Sequence, residues 1–267
     1  TVPLFLAGLA VYIPLKAGLW NIGAEGQIYV GAVVGSYVGL NLGAPSYVLL
    51  PVMVVAAGAA GAAYGAVPGY LRAEHDVNEI ISSLMLTFAA TTFTGYLLRG
   101  PMQGRGGQTA TDRLPEAAQF ATVLHPRLHV GVVALAVVAA FGYLLLNRTR
   151  LGYEITLIGA NPAAATQSGI SRYRIYLTVF LVGGALSGLA GIIEIAGVHG
   201  RLFESFSPGY GFTAIAVALL GRNGVFRVLL AAAFFGILTA GGTTLAITQN
   251  VPSSLIDVII ALTILFL

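Results

Sequence analysis

The sequence contains no cysteine, which excludes disulfide bonds and thiolate metal centres outright. It is also poor in charge: thirteen Lys and Arg and ten Asp and Glu make up only 9% of 267 residues. Soluble domains carry about 25% charged residues. Set beside 57% hydrophobic residues, this deficit excludes an ordinary soluble globular domain. Catalytic signatures are missing too. There is no His-Glu-x-x-His zinc motif and no Walker A loop. No pair of Asp residues stands at helical spacing in an apolar stretch, as a membrane prenyl transferase would require. All four histidines (His75, His125, His129 and His199) fall in or beside polar segments. Pro126 lies between His125 and His129 and no third ligand is near, so that pair reads as accidental. The net charge of +3 raises nucleic acid as a partner, but the basic residues are scattered over separate connections. No basic face forms, and nucleic acid is not expected.

What the chain does have is long apolar runs divided by short polar ones. A bilayer core of ~30 Å needs roughly 20 apolar residues in a helix. Without water, backbone groups must be satisfied within the segment, which leaves helices or closed barrels. A barrel would show segments of about 10 residues alternating in polarity. These runs are longer and apolar on every face, so the expected fold is an all-α polytopic membrane bundle. Membrane runs are expected at Pro3 to Leu19, from the polar knot Asn21–Gln27 to about Val38, Tyr47 to Tyr70, Ile80 to Leu98, Val130 to Leu146, Ile175 to Val198, and Val228 to Thr248. A last one starts at Leu255. Thr213 to Leu220 is too short to cross and reads as a half-helix, giving about nine membrane elements. The 35 glycines fit this picture. Gly31, Gly35 and Gly39, like Gly61, Gly65 and Gly69, recur every fourth residue, a spacing that lets helix backbones approach.

The chain starts at Thr1, within two residues of an apolar run, and stops at Leu267 inside another. Residues 1–267 are therefore expected to be one transmembrane domain cut from a longer protein at both ends. The connection from Asn147 to Arg174 carries Arg148, Arg150, Arg172 and Arg174 against one acid, Glu154, which makes it cytoplasmic by the positive-inside rule. Alternation puts Arg99 to His129 outside, although that segment also has four arginines. Charge alone does not separate the two.

Three polar groups stand out. Glu25 in the knot Asn21-Ile22-Gly23-Ala24-Glu25-Gly26-Gln27 costs at least ~2.5 kcal/mol near the membrane interior. It marks either a ligand site at a helix break or a polar bend capping a helix end, with Lys16 as a partner. Asp76, three residues before Glu79, fits an N-cap followed by an acidic first turn, while Asn78 and Glu79 stand further in. Asn161-Pro162, then Ala163 to Ala165 and Gly169, predicts a short helix with Asn161 as cap and proline first. Its shape suits docking into another protein's groove, and equally suits a plain connector.

These segments resemble a known family. Thr149-Arg150-Leu151-Gly152, Gly159-x-Asn161-Pro162-x-Ala164-Ala165 and Gly169-Ile170 are similar to the coupling loop of ATP-binding-cassette importer permeases of the ribose and branched-chain amino acid group. Leu186 to Gly191 and Gly209 to Gly221 extend the likeness. Within the group, the Asn21–Gln27 knot and Val77-Asn78-Glu79-Ile80-Ile81 with Leu84-Met85-Leu86 look most like the nucleoside permeases (the simple sugar and purine nucleoside subfamily). Nearly the whole chain is covered, in the family's order.

The resemblance implies a fold of about ten helices, so one N-terminal helix is expected to be missing. It implies a cytoplasmic loop 147–174 whose Gly159, Asn161, Pro162, Ala164, Ala165 and Gly169 contact an ATPase subunit. It implies a multi-pass protein of a prokaryotic inner membrane, embedded in lipid and catalysing no bond chemistry. ATP and Mg would be bound by partner ATPase subunits, with no cofactor in this chain. The other partners would be a second permease, related but different, and an extracytoplasmic solute-binding protein. Asn21, Glu25, Gln27, Asn78 and Glu79 are then candidates for the solute pathway or for bracing broken helices. Phe203, Phe206 and Tyr210 would stack on a base near the outer gate, or stand as interfacial aromatics. A permease for a simple sugar or a branched-chain amino acid is the first competitor. An ion-coupled secondary transporter using Glu25 or Glu194 is the second, and the coupling-like loop argues against it.

Overall fold

In the computed structural model, residues 1–124, 128–129 and 131–249 are described, with residues 258, 261 and 262 beyond them. Among these residues the chain forms ten α-helices: α1 (Val2–Lys16), α2 (Ala24–Asn41), α3 (Ser46–His75), α4 (Glu79–Arg99), α5 (Val132–Arg148), α6 (Arg150–Ala160), α7 (Pro162–Gln167), α8 (Arg172–Glu194), α9 (Tyr210–Leu220) and α10 (Val225–Gln249). A π-helical turn, Ile195–His199, prolongs α8. A short antiparallel ribbon pairs Thr122–Leu124 with Leu128–His129.

Four segments are long and apolar enough to cross a membrane: α3, α4, α8 with its π turn, and Val225–Gly242 of α10. The α5–α6 pair meets the same length and apolarity when joined, but bends by 68°. These elements lie where the apolar runs predict them, and the result is a polytopic helical bundle. The half-helix expected at Thr213 to Leu220 is α9. The span expected from Leu255, and His125 with Pro126, fall outside the described residues apart from residues 258, 261 and 262.

Two expectations need correction. The first run does not reach Leu19: α1 ends at Lys16, is only 15 residues long, and buries residues 3 to 14 within the protein. The apolarity of residues 3 to 13 reflects protein on every side. Within the connection after Asn147 a further helix, α6, precedes α7. Thr149 caps α6 by accepting the Gly152 N–H at 3.2 Å, and Arg150 bonds Glu154 one turn on at 2.8 Å. Asp76 is not the cap of α4. It closes α3 in a left-handed conformation (φ 52°), and Asn78 Oδ1 accepts the Ile80 and Ile81 N–H groups. Asn78 wins because only its side chain is placed two and three residues before free amides.

The centre of the bundle is α8. Gly61 of α3 faces Gly184 and Gly188, Gly65 faces Phe180 and Gly184, and Gly69 faces Phe180. Numbers that rise on one helix and fall on the other make the pair antiparallel. On α2, Gly31 lies against Gly188 and Gly35 against Ile192, so α2 runs parallel to α8. Gly191 meets the Ile28 carbonyl, and Gly183 meets the Ala10 carbonyl of α1. One helix thus touches three others through backbone. A methyl group added at Gly184 would collide with the Gly61 carbonyl and stand 3.0 Å from Ala62 Cα, both backbone atoms that have no rotamer to move. Gly184→Val should therefore destabilise the purified chain by about 1–3 kcal/mol in equilibrium unfolding in mixed micelles. Gly43→Ala, with nothing within 4 Å of the new methyl, should leave stability within ~0.5 kcal/mol.

Candidate functional site

At the end of the bundle far from α7, the chain leaves the π turn of α8 at Gly200 (φ 67°) and makes an irregular passage before α9. A strap holds this passage in place. Thr111 N–H donates to the Leu202 carbonyl at 2.8 Å, and Leu202 N–H donates back to the Thr111 hydroxyl at 3.1 Å. Leu114 N–H bonds the Gly200 carbonyl, Glu204 N–H bonds the Thr109 carbonyl, and Arg99 grips both Glu204 oxygens at 2.6 and 2.7 Å. The strap sets the aromatic residues of the passage into a chain of ring contacts. His199 meets Phe203 edge-on at 4.9 Å, Phe203 meets Phe206 at 6.5 Å, and Phe206 leans on Tyr29 at 4.7 Å.

Behind these rings lies a cavity of about 550 Å³ lined by Glu194, His199, Phe203, Phe206, Tyr210 and Thr239, among others. Its size falls in the range of small-molecule sites, roughly 300–1,000 Å³. Three of the sequence candidates, Phe203, Phe206 and Tyr210, therefore converge on one wall. Glu194 and His199 join them without having been selected as pathway residues from the sequence. Glu194 Oε1 accepts the Tyr210 hydroxyl at 3.2 Å, and His199 Nε2 lies 3.3 Å away without hydrogen-bond alignment. The available signal was an acid and a histidine five residues apart at the end of an apolar run, a spacing that faces one side only once a π turn is inserted.

The polar knot lies elsewhere. Asn21 and Gln27 exchange two amide hydrogen bonds, each 3.0 Å, and Asn21 also donates to the Ala10 carbonyl at 3.2 Å. Both are buried. Gln27 Nε2 stands beside Gly65 and Asn21 Nδ2 beside Gly183, so the amide pair is wedged where α1, α2, α3 and α8 meet. Glu25, 4% exposed, does not bond Lys16. Its Oε2 accepts the Gly211 N–H at 2.6 Å, at the second residue of α9. Glu25 is also in the first turn of α2. One carboxylate thus faces the positive ends of two helices, the arrangement that stabilises an anion. Gly211 is obligatory there, because a Cβ would overlap the backbone of Glu25.

Asn78 and Glu79 lie at the α7 end. Asn78 is exposed and occupied as a helix cap. Glu79 is buried, pairs with Arg72 at 3.2 Å and accepts the Trp20 N–H at 3.3 Å. Arg72 also reaches Asp76 at 3.1 Å, and Asp76 reaches Arg172 at 2.8 Å. A chain of charge therefore runs from the start of α8 to the break between α1 and α2.

In α7, Asn161 Oδ1 accepts the Ala164 N–H at 3.1 Å and Pro162 opens the helix. Gly169 (φ 83°) stops it: its N–H bonds the Thr166 carbonyl, and Ile170 N–H bonds the Ala165 carbonyl. This is the Schellman pattern. Ala165 faces the protein, whereas Asn161, Pro162, Ala163, Ala164 and Gly169 are exposed. Gly159 packs against the backbone of Lys16 and Ala17, so the loop rests on the end of α1.

Comparison with known proteins gives a consistent result. The family described as branched-chain amino acid transport system / permease component matches residues 1–267. The glucose ABC transporter permease protein TsgB13 of Haloferax volcanii is 48% identical over 100% of this chain and 73% of its own length. The guanosine ABC transporter permease protein NupP of Bacillus subtilis is 35% identical over 99% of this chain and 77% of its own. The nucleoside ABC transporter permease protein NupB of Lactococcus lactis subsp. cremoris is 30% identical over 99% and 76%. No solved structure matches the chain.

The buried bond from Glu25 to Gly211 has a measurable weight. Glu25→Ala should lower stability in mixed-micelle unfolding by about 1–3 kcal/mol, since it leaves the α9 amide unpaired. Glu25→Gln, which keeps an acceptor, should lose less than half as much. Equal losses would show that the negative charge at the two helix ends, and not the acceptor alone, carries the contact.

Proposed function

Because the chain belongs to the branched-chain amino acid transport system / permease component family, we propose that the solute it carries across the membrane is a nucleoside. The coarser description stands on the family itself. The protein is a permease subunit of an ATP-binding-cassette importer, an integral inner-membrane transport component and not an enzyme, and such permeases work with ATPase subunits and a solute-binding protein.

The observation that carries the nucleoside reading is the cavity, in which the faces of Phe203 and Phe206 stand beside the hydrogen-bonding groups of Glu194, His199 and Tyr210. A nucleoside presents a planar base to the first set and a hydroxylated ring to the second. The Glu25 arrangement supports a neutral solute. Half-helix ends in transporters draw anionic groups of the substrate, but here the ends of α2 and α9 are already met by the protein's own carboxylate. The relatives NupP and NupB, named for guanosine and nucleoside, agree. A simple sugar is the second reading, favoured by the 48% identity to TsgB13; it uses the same hydroxyl-binding groups without the base.

The mechanism in this reading is alternating access. The 147–174 loop lies in the cytoplasm, and the exposed alanines of α7 bear on an ATPase subunit, with Asn161, Pro162 and Gly169 fixing the shape of that knob. Gly159 and Ala165 hold it against α1 and the bundle. A second permease, related but different, completes the path. Asn21 and Gln27 brace the helix break through their reciprocal amide bonds.

The test is uptake of labelled adenosine and labelled glucose by proteoliposomes holding the complete transporter, with and without ATP. ATP-driven adenosine uptake is expected. Ala164→Glu, on the exposed face of α7, should reduce uptake at least tenfold with the permease still folded, whereas unchanged uptake would remove α7 from the coupling role. ATP-driven uptake of glucose alone would replace the nucleoside and keep the machine.

A further inference from the structure

We propose that Glu194 is a specificity-determining residue of the solute path, accepting a hydrogen bond from a ring hydroxyl of a neutral, hydroxylated solute whose apolar face lies on Phe203 and Phe206. The inference rests on the permease reading above but not on the choice of nucleoside, because ribose and hexose rings both offer such hydroxyls.

Glu194 is only 5% exposed, at the end of an apolar helix. A carboxylate in such a place usually serves a path or a partner, since its insertion is costly. Its known partners engage one oxygen. Tyr210 donates to Oε1, and His199 Nε2 approaches the same atom at 3.3 Å. No hydrogen bond reaches Oε2 among the described residues. That oxygen belongs to a side chain lining the 550 Å³ cavity. The π turn Ile195–His199 places His199 on the Glu194 side, and π turns are frequent at functional sites. Tyr210 fixes the carboxylate from α9, whose start is itself anchored by Glu25. The carboxylate is therefore held from α9 by Tyr210, with no hydrogen bond on Oε2 among the described residues.

The aromatic wall supplies the second half of the site. Phe203 and Phe206 meet at 78°, and Phe206 is backed by Tyr29. Two rings set at an angle beside an acceptor suit a flat or chair-shaped ring with apolar faces and polar edges. An apolar solute edge set against Oε2 would leave that oxygen without a donor, which penalises it.

The experiment compares a hydroxylated solute with its deoxy analogue in the complete transporter. Proteoliposomes with wild-type or Glu194→Gln permease take up labelled adenosine and labelled 2′,3′-dideoxyadenosine, each at saturating binding protein. Glu194→Gln should slow adenosine uptake about tenfold, the size expected for one hydrogen bond to a charged group, and change dideoxyadenosine uptake less than twofold. Because the binding protein is the same in all arms, the ratio of these effects reports the permease alone. Where the transporter carries glucose and not adenosine, the nucleoside choice fails. The same ratio is then read with glucose and its deoxy analogues, and Glu194 stands or falls on that.

An equal loss for both members of a pair would make Glu194 a strut and overturn the proposal. No loss for either would place it off the path. Transport of neither adenosine nor glucose by the wild-type complex would overturn both readings. If Glu194→Gln fails to assemble, Tyr210→Phe removes only the hydroxyl that fixes the carboxylate. It should then show the same selectivity with a loss of about threefold.

Discussion

The structure depends on the approach of α8 to three neighbours at backbone distance. In lipid, apolar side chains gain nothing by leaving one hydrocarbon for another, so close packing and hydrogen bonding must hold helices together. Glycines on α2, α3 and α8 remove the side chains that would keep the axes apart. The consequence is a core helix that is almost wholly surrounded by protein. That burial makes room for polar groups that lipid would not accept. It also explains why α1, only 15 residues long and largely apolar, can be lined by protein on every side.

Around this axis four buried polar side chains, Asn21, Gln27, Glu25 and Glu79, are matched within the protein, whereas Glu194 keeps one oxygen without a hydrogen bond among the described residues. The Asn21–Gln27 amide pair is reciprocal, and Glu25 is matched to helix ends. Glu79 is matched to an arginine and a backbone amide. Each is a solved burial problem, and each sits where a helix starts or breaks. Glu194 is only half solved, and it borders the 550 Å³ cavity. The distinction between bracing and binding is thus a matter of counting which acceptors are used.

Much of the fold was legible because membrane spans are written in composition: α3, α4, α8 and α10 follow from apolar length alone. The short helix α7 was legible for a different reason, since Asn161-Pro162 and Gly169 are local start and stop signals that need no tertiary context. The misses were tertiary. Asp76 and Asn78 are both good caps, and only the way α3 ends decides which one is used. The α6 helix is amphipathic, with Ile155 and Ile158 buried, a pattern that an eye set for long apolar runs passes over. At the candidate site, the aromatic residues could be named from their crowding, but Glu194 could not be assigned to them. Its place beside His199 requires the π turn, which leaves no mark in the sequence.

The charge chain at the α7 end has a mechanical consequence. Asp76, largely exposed, links Arg72 to Arg172, while buried Glu79 links Arg72 to the Trp20 amide. Exposed ion pairs are screened by salt within about 8–10 Å, and buried ones are screened much less. The linkage from α8 to the α1–α2 break therefore has two springs in series, a compliant one at Asp76 and a stiff one at Glu79. Its overall give is set by the softer, and so by the ionic strength of the water that bathes it.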